Sequence, residues 1–292
     1  MSEEGHLPAG HRKSVRLFLC GDVMCGRGID QVLAHPCSAE IYEDYMRSAE
    51  GYVLLAEQAN GPVPRRNGPS YVWGAALDQL ARMEPDARII NLETAVTRSN
   101  DVTYKGINYR MSPENADCLA AAKIDCCVLA NNHVLDWGRS GLRETLATLE
   151  KLNIKAAGAG RNDREARAPA VLNLDDGRLL IFSFGSTSSG VPIQWAATGD
   201  TQGSTCCLTY PRRSRLRSLT KSWREGSQAI SSSFRSIGDP IGDTTFRMST
   251  RFLPGPSSTR QACRSFTVIL RIIQKRSKSI EIVSFSMAAV IS

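Results

Sequence analysis

The chain has 292 residues, is 42% hydrophobic and 22% charged, and so has the ordinary composition of one large soluble α/β domain or two small ones. No apolar run reaches membrane-spanning length, and residues 1–14 are polar with no apolar leader core. On this reading neither a spanning segment nor a secretory leader is expected, and the expected location is the cytoplasm. The net charge of +7 conceals an asymmetry: residues 1–202 carry 21 basic and 25 acidic side chains, whereas the remainder carries 15 and 4. All four histidines (His6, His11, His35, His133) precede the break, which marks a boundary near Gly203.

In chain order, residues 15–20 (VRLFLC) form a short apolar run that ends in Gly21-Asp22. The Pro/Gly-rich segment 61–69 reads as an exposed, mobile loop that can overhang a site. Residues 71–83 have a helical pattern. Residues 87–90 (ARII) are a second strand-like run, ending in Asn91-Leu92-Glu93-Thr94. Residues 113–123 form another helical pattern, with Pro113 in its first turn and Ser112 placed to cap it. Residues 124–130 (IDCCVLA) are a third apolar run, ending in Asn131-Asn132-His133. Leu142, Leu146, Leu149 and Leu152 recur at helical spacing and stop at Asn153. Residues 170–174 and 178–184 flank Asp175-Asp176-Gly177 as a hairpin. Apolar runs of this length, alternating with helices, predict buried parallel strands in an α/β sheet. The nine cysteines include no metal-type CxxC pair. Cys20, Cys25, Cys126 and Cys127 fall on or beside apolar runs and read as buried free thiols.

The chemistry lies where the runs end. Asp22, Glu93 and Asn132-His133 each follow the C-terminal end of a predicted strand, the edge at which open α/β sheets bind ligands. Carboxylate and amide oxygens suit Mg or Mn, and an imidazole extends the choice to Zn or Fe. Taken singly, Asp22 is a turn or cap residue, Glu93 a cap or surface partner, Asn131-Asn132 a turn, His133 a structural histidine and Asp136 an N-cap. Three strand ends agreeing is what points to a site. Lys105, Tyr109 and Arg110 either line the crevice or belong to a solvated loop, and Trp137 packs against that loop.

Gly21-Asp22-Val23-Met24 with Arg27, then Asn91-Leu92-Glu93-Thr94, then Ala130-Asn131-Asn132-His133 with Asp136 and Gly138 resemble, in order, the motifs of CapA-type capsule and poly-γ-glutamate biosynthesis proteins. Gly158-Ala159-Gly160 with Ala166 and Pro169 also fits, and the likeness covers roughly residues 15–200. The resemblance implies a four-layer α/β/β/α metallophosphatase-like sandwich, incomplete here, in which Asp22, Glu93 and Asn132 hold a divalent metal (Mn, Mg, Zn or Fe). It makes His133 the acid or hydrogen-bond donor and brings Arg27 to an anionic substrate group. The implied function is metal-assisted chemistry of capsule or poly-γ-glutamate metabolism on a phosphorylated or γ-glutamyl substrate. The alternative is a non-catalytic accessory subunit that binds an anionic polymer or components of a synthase. Metallophosphoesterases usually open with Asp-x-His, and Val23-Met24 departs from that pattern, which argues against a full two-metal centre.

The Ser/Arg-rich residues 203–292 contain no recognised nucleic-acid module, so their charge implies no specific nucleic-acid partner, and the tail is expected to be irregular and disordered. The His-Trp-Gly and Gly-His-x-x-His segments that the resemblance leads one to expect are missing. Back-translation in one constant shifted frame supplies them: residues 231–244 can read VVVSIHWGPNWGY and residues 266–292 can read IHGHSSHHPKAIEVYRDRLILYGCGDF. The expectation is therefore a frameshift near Gln202, with 1–14 a flexible N-terminus, 15–202 the domain and 203–292 out of frame. A half-built sheet of this kind would be poorly stable and have impaired activity.

Overall fold

The structure is a computed structural model. It describes residues 14–175, 177–185, 187 and 190–199, and the strand segments 206–207, 243–249, 267–274 and 279–285. Its elements run β1 (Ser14–Val23), α1 (Gly28–Val32), β2 (Glu40–Glu43), β3 (Met46–Ser48), α2 (Ala49–Asn60), α3 (Ala76–Met83) and β4 (Ala87–Leu92). There follow β5 (Ala95–Val96), β6 (Arg110–Met111), α4 (Asp117–Ala121), β7 (Cys126–Val128), α5 (Gly138–Lys151), β8 (Lys155–Ala157), β9 (Ala159–Gly160) and α6 (Asp163–Arg167). Strands β10 (Ala170–Leu174), β11 (Gly177–Phe184), β12 (Cys206–Cys207), β13 (Asp243–Ser249), β14 (Thr267–Gln274) and β15 (Ser279–Phe285) complete the order.

Five strands form a parallel sheet in the order β15-β1-β4-β7-β8. Because every pairing is parallel, the C-terminal ends of β1, β4 and β7 meet at one edge. Strands β10, β11, β14 and β13 form a separate antiparallel sheet. Alternation along β1 and β4 divides the core. Leu17, Leu19, Ile89 and Val128 face Leu179 and Ile181 of β11, so the two sheets pack against each other. Phe18, Cys20, Ile90 and Cys127 face the other way, onto Leu119 of α4 and Leu142 and Leu149 of α5. Three layers result: helices, parallel sheet, antiparallel sheet.

The expected elements appear with shifted bounds. The helical pattern over 71–83 divides into a 3-10 turn, Tyr71–Trp73, and α3, because Gly74 takes φ 48° between them. The pattern over 113–123 divides likewise, into a 3-10 turn (Pro113–Ala116) and α4. Ser112 precedes it with extended backbone, but its hydroxyl donates to Glu114 at 2.6 Å instead of capping the turn. The stop at Asn153 is real, with φ 59° directly after α5 and Leu152. The loop after α2 is mostly exposed, yet Asn67 fastens it to α1, its backbone N–H and its Nδ2 donating to the Val32 carbonyl at 2.9 and 3.0 Å.

The tail corrects one expectation. Among its described stretches, β15 lies along β1 in seven parallel pairs, and β14 joins β11 to β13. Ser/Arg content over the whole tail obscures the local composition of Thr267–Gln274 (TVILRIIQ) and Ser279–Phe285 (SIEIVSF), whose β-branched residues favour strand. Those stretches are not irregular. The rest of 203–292, and residues 1–13, lie outside the described residues.

Candidate functional site

The site starts at a slip in register. Strand β1 pairs with β4 residue for residue up to Cys20, then skips Gly21 so that Asp22 stands opposite Asn91. An irregularity of this kind turns the following side chain out of the ladder. Asp22 Oδ1 accepts a hydrogen bond from Asn91 Nδ2 at 2.7 Å, and Asn91 Oδ1 accepts one from Asn131 Nδ2 at 3.0 Å. Asn131 Nδ2 also reaches the Leu92 carbonyl at 2.9 Å, while its Oδ1 accepts the backbone N–H of His133 at 3.0 Å. One relay of amides thus ties the ends of β1, β4 and β7 to the Asn131-Asn132-His133 turn. Glu93 follows β4, its N–H donating to the Val23 carbonyl at 3.0 Å.

Asp136 is not an N-cap; Trp137 holds that position for α5. Asp136 is fully buried and binds three partners. Its Oδ2 lies 2.7 Å from His133 Nδ1 and accepts the Tyr109 N–H at 2.6 Å, and its Oδ1 lies 2.6 Å from Lys105 Nζ. The carboxylate holds the imidazole by one nitrogen and so fixes its ring plane. Lys105 also donates to the Asn132 carbonyl and stands 5.6 Å from the centre of the Trp195 ring. The Tyr109 ring meets the His133 ring edge-on, with centroids 4.4 Å apart. Burial raises the Tyr109 phenol above its ordinary value; Arg27 opposes the rise, and Glu93, Glu43 and Asp136 add to it.

Arg27 stands on the far side of Tyr109. Its guanidinium carbon lies 5.1 Å from the Tyr109 ring centre and 4.1 Å from that of Tyr52. Nη1 donates to Glu43 Oε1 at 2.7 Å and to the Tyr52 hydroxyl at 3.2 Å. The Arg27 backbone takes φ 51°, a strained conformation for a side-chain-bearing residue that costs on the order of 1–3 kcal/mol and persists only where its surroundings enforce it. Gly26 before it packs so close to the Arg110 backbone that an added Cβ would stand 2.8 Å from the Arg110 nitrogen. Gly158 has the same constraint behind the Asn131 turn: φ is 89°, and a Cβ would meet Ala130 Cβ at 2.7 Å.

The strand ends therefore bring Asp22, Glu93, Asn132 and His133 to one edge, with Arg27 joined to them through Tyr109. Of the loop residues Lys105, Tyr109 and Arg110, the first two touch His133. Arg110 instead stacks on Trp137 at 3.8 Å and gives its donors to Ser99, Asn100 and Ser38. Asn91, Glu43 and Tyr52 were not legible as site residues. Asn91 sits inside a strand and shows its role only through its cross-strand partner. Glu43 and Tyr52 are separated in sequence from every motif, and no periodicity links them to Arg27. All six cysteines of the described core (Cys20, Cys25, Cys37, Cys118, Cys126, Cys127) are free and buried, as the apolar runs predict for four of them.

The donors at the edge are mostly oxygens. Among the described residues no three His, Cys, Asp or Glu side chains are close enough together to hold a metal ion. With Oδ1 occupied by Asn91, Asp22 keeps Oδ2 for a further contact. Carboxylate and amide oxygens are the donor types that a hard cation takes.

A parallel sheet backed by helices and faced by a second sheet, with carboxylates, an amide and a carboxylate-held histidine at its C-terminal edge, is a mixed α/β fold consistent with the metallophosphatase-like class. The family described as Bacterial capsule synthesis protein PGA_cap matches residues 16–228, and the chain belongs to that family. It is 42% identical over 197 residues to a Mycobacterium tuberculosis protein bearing the name probable polyglutamine synthesis accessory protein, in each of two strains. That match covers 67% of this chain and 52% of the relative, so the chain spans about half the length of these curated relatives. An uncharacterized protein of Sinorhizobium fredii is 35% identical over 104 residues, covering 34% of this chain and 23% of its own length. No helix among the described residues is long and apolar enough to cross a membrane.

Proposed function

We propose that the chain carries the N-terminal part of a protein of capsule or polyglutamate synthesis whose crevice holds an anionic substrate group beside one divalent cation. The supporting observation is the relay from Asp22 through Asn91 and Asn131 to His133, which fixes a carboxylate and an imidazole at one sheet edge. Asp22 and Glu93 with the Asn132 amide would hold Mg or Mn, which when bound polarises a phosphoryl or acyl oxygen. His133, held at Nδ1 by Asp136, presents its other ring nitrogen as acid or hydrogen-bond donor. Lys105 offsets the buried Asp136 charge and ties the Asn132 carbonyl in place. The three layers described extend, in this reading, to the four-layer sandwich, whose last layer belongs to the second half of a longer protein. The break at residue 202 is read as a shift of frame, so this polypeptide is impaired in activity.

The relatives' name and the short donor set favour a second reading, a non-catalytic accessory subunit that contacts synthase components or their polymer. Turnover separates the two. Phosphatase and amidase activity of the frame-restored protein is measured with added Mn or Mg, beside Asp22→Ala. Metal-dependent turnover that falls at least about a hundredfold in the variant supports catalysis. Equal turnover in both proteins leaves the accessory role.

A further inference from the structure

A guanidinium has five N–H donors in one plane. In Arg27, the two on Nη1 are taken by Glu43 Oε1 and the Tyr52 hydroxyl, and the guanidinium carbon lies over the rings of Tyr52 and Tyr109. The side formed by Nε and Nη2 meets no hydrogen-bond partner among the described residues, although 20% of the side chain remains exposed. The grip itself is buried: Glu43 is 1% exposed, and the Tyr52 hydroxyl donates to its second oxygen. Two parallel N–H groups on one edge match the spacing of the two oxygens of a carboxylate.

We propose that the Nε–Nη2 edge of Arg27 is a preorganised receptor for a substrate carboxylate, and that Glu43 and Tyr52 are its positioning residues. This rests on the crevice reading above and names the chemical class of its substrate. The neighbouring charges select a monoanion. Glu43 already offsets the Arg27 charge, Lys105 and Asp136 offset each other, and Glu93 lies near enough to act on the Tyr109 ring that Arg27 and His133 share. A phosphate dianion meets that surplus of negative charge twice over, whereas a carboxylate meets it once. Arg27 and His133 flank the same Tyr109 ring, so a chain bearing regularly spaced carboxylates can be anchored at Arg27 while an adjoining bond lies toward the strand ends. The clamp also fixes the guanidinium before the ligand arrives, which reduces the entropy lost on binding.

The test is calorimetric titration of the full chain in EDTA with glutarate and, separately, with inorganic phosphate. Glutarate is expected to bind at least about tenfold more tightly than phosphate, and Arg27→Lys, which loses the two-pronged edge, to weaken glutarate about tenfold. Tyr52→Phe, which frees one end of the clamp, should weaken it about threefold. Glu43→Gln keeps the grip but removes the offsetting charge, so it should narrow the preference for glutarate over phosphate, an effect a merely structural residue would not produce. Wild-type chain that prefers phosphate, or folded Arg27→Lys that binds glutarate as wild type does, overturns the proposal. EDTA strips divalent cations, so the titration reads the Arg27 edge without any metal at Asp22. The carboxylate receptor therefore stands or falls independently of the metal-dependent turnover.

Discussion

At the scale of single residues, Asp136 sets the geometry of the site. It is a buried carboxylate that satisfies Lys105, His133 and the Tyr109 N–H together. Removing it takes the counter-charge from the Lys105 ammonium and the acceptor from the Tyr109 N–H at once. Asp136→Ala should therefore lower unfolding free energy by about 3 kcal/mol in urea melts, and Asp136→Ala combined with Lys105→Met should recover part of that loss. A double variant no more stable than the single one would show that Lys105 is not the partner that matters. The sequence makes the strand-end residues Asp22, Glu93, Asn132 and His133 legible because a position just past an apolar run is a local property. It does not reveal Asp136 as a hub, since an Asp two residues before a helix has the same local signature whether it caps or binds a histidine. Arg27 was legible as a cation; its clamp depends on β2 and α2, which only tertiary structure brings beside it.

Among elements, α1 is held to the β6 region by one acid. Asp30 is fully buried and accepts from the Cys37 N–H at 2.7 Å, the Ser112 N–H at 3.0 Å and Asn115 Nδ2 at 2.7 Å. Burial raises its pKa, and these hydrogen bonds together with Arg110 act against the rise. Asp30→Ala leaves three buried donors without acceptors and should cost on the order of 3 kcal/mol, read as a shift in the urea midpoint. The adjoining 3-10 turn carries a surface pair with the opposite sign of shift. The Arg98 guanidinium holds Glu114 at about 2, below its ordinary 4.5. A depressed carboxylate contributes stability that is complete above pH 4.5 and is lost as pH falls toward 2. The pair is half exposed, so the effect is modest and weakens with salt. Arg98→Ala should flatten the thermal-melt pH profile in that window; a profile identical to wild type would remove the pair from the account. Element bounds were legible where periodicity is long, as in α5. They were shifted where a glycine with positive φ or a 3-10 turn interrupts a helical pattern, because those breaks depend on packing and not on composition.

For the whole molecule, the second half of the chain decides how the first is closed. With β15 on one side and β4 on the other, β1 is an interior strand of the parallel sheet. A chain ending at residue 278 should leave β1 as an unprotected edge and aggregate on purification. If it stays monomeric by light scattering, the β15 pairing contributes little. The frame proposal is decided at the gene: resequencing should find one inserted or missing base near codon 202, and an intact frame ends it. The overall α/β class was legible because strand runs and helical patterns alternate through residue 184. The tail strands β14 and β15 were not, since overall Ser and Arg content outweighed two short β-branched segments.

The fully interior sulfhydryls give this chain an inherent gauge of its own opening. A membrane-permeant maleimide can react with Cys20, Cys126 or Cys127 only when the sheet parts, because each is at most 2% exposed. Burial also pushes the Cys126 and Cys127 thiols well above their ordinary range, so they stay protonated and unreactive in the closed form. Alkylation rates at these positions, followed by peptide mass, should therefore track the population of sprung-open molecules and not the reactivity of the thiols themselves. The same property makes the domain tolerant of oxidants for as long as it stays shut.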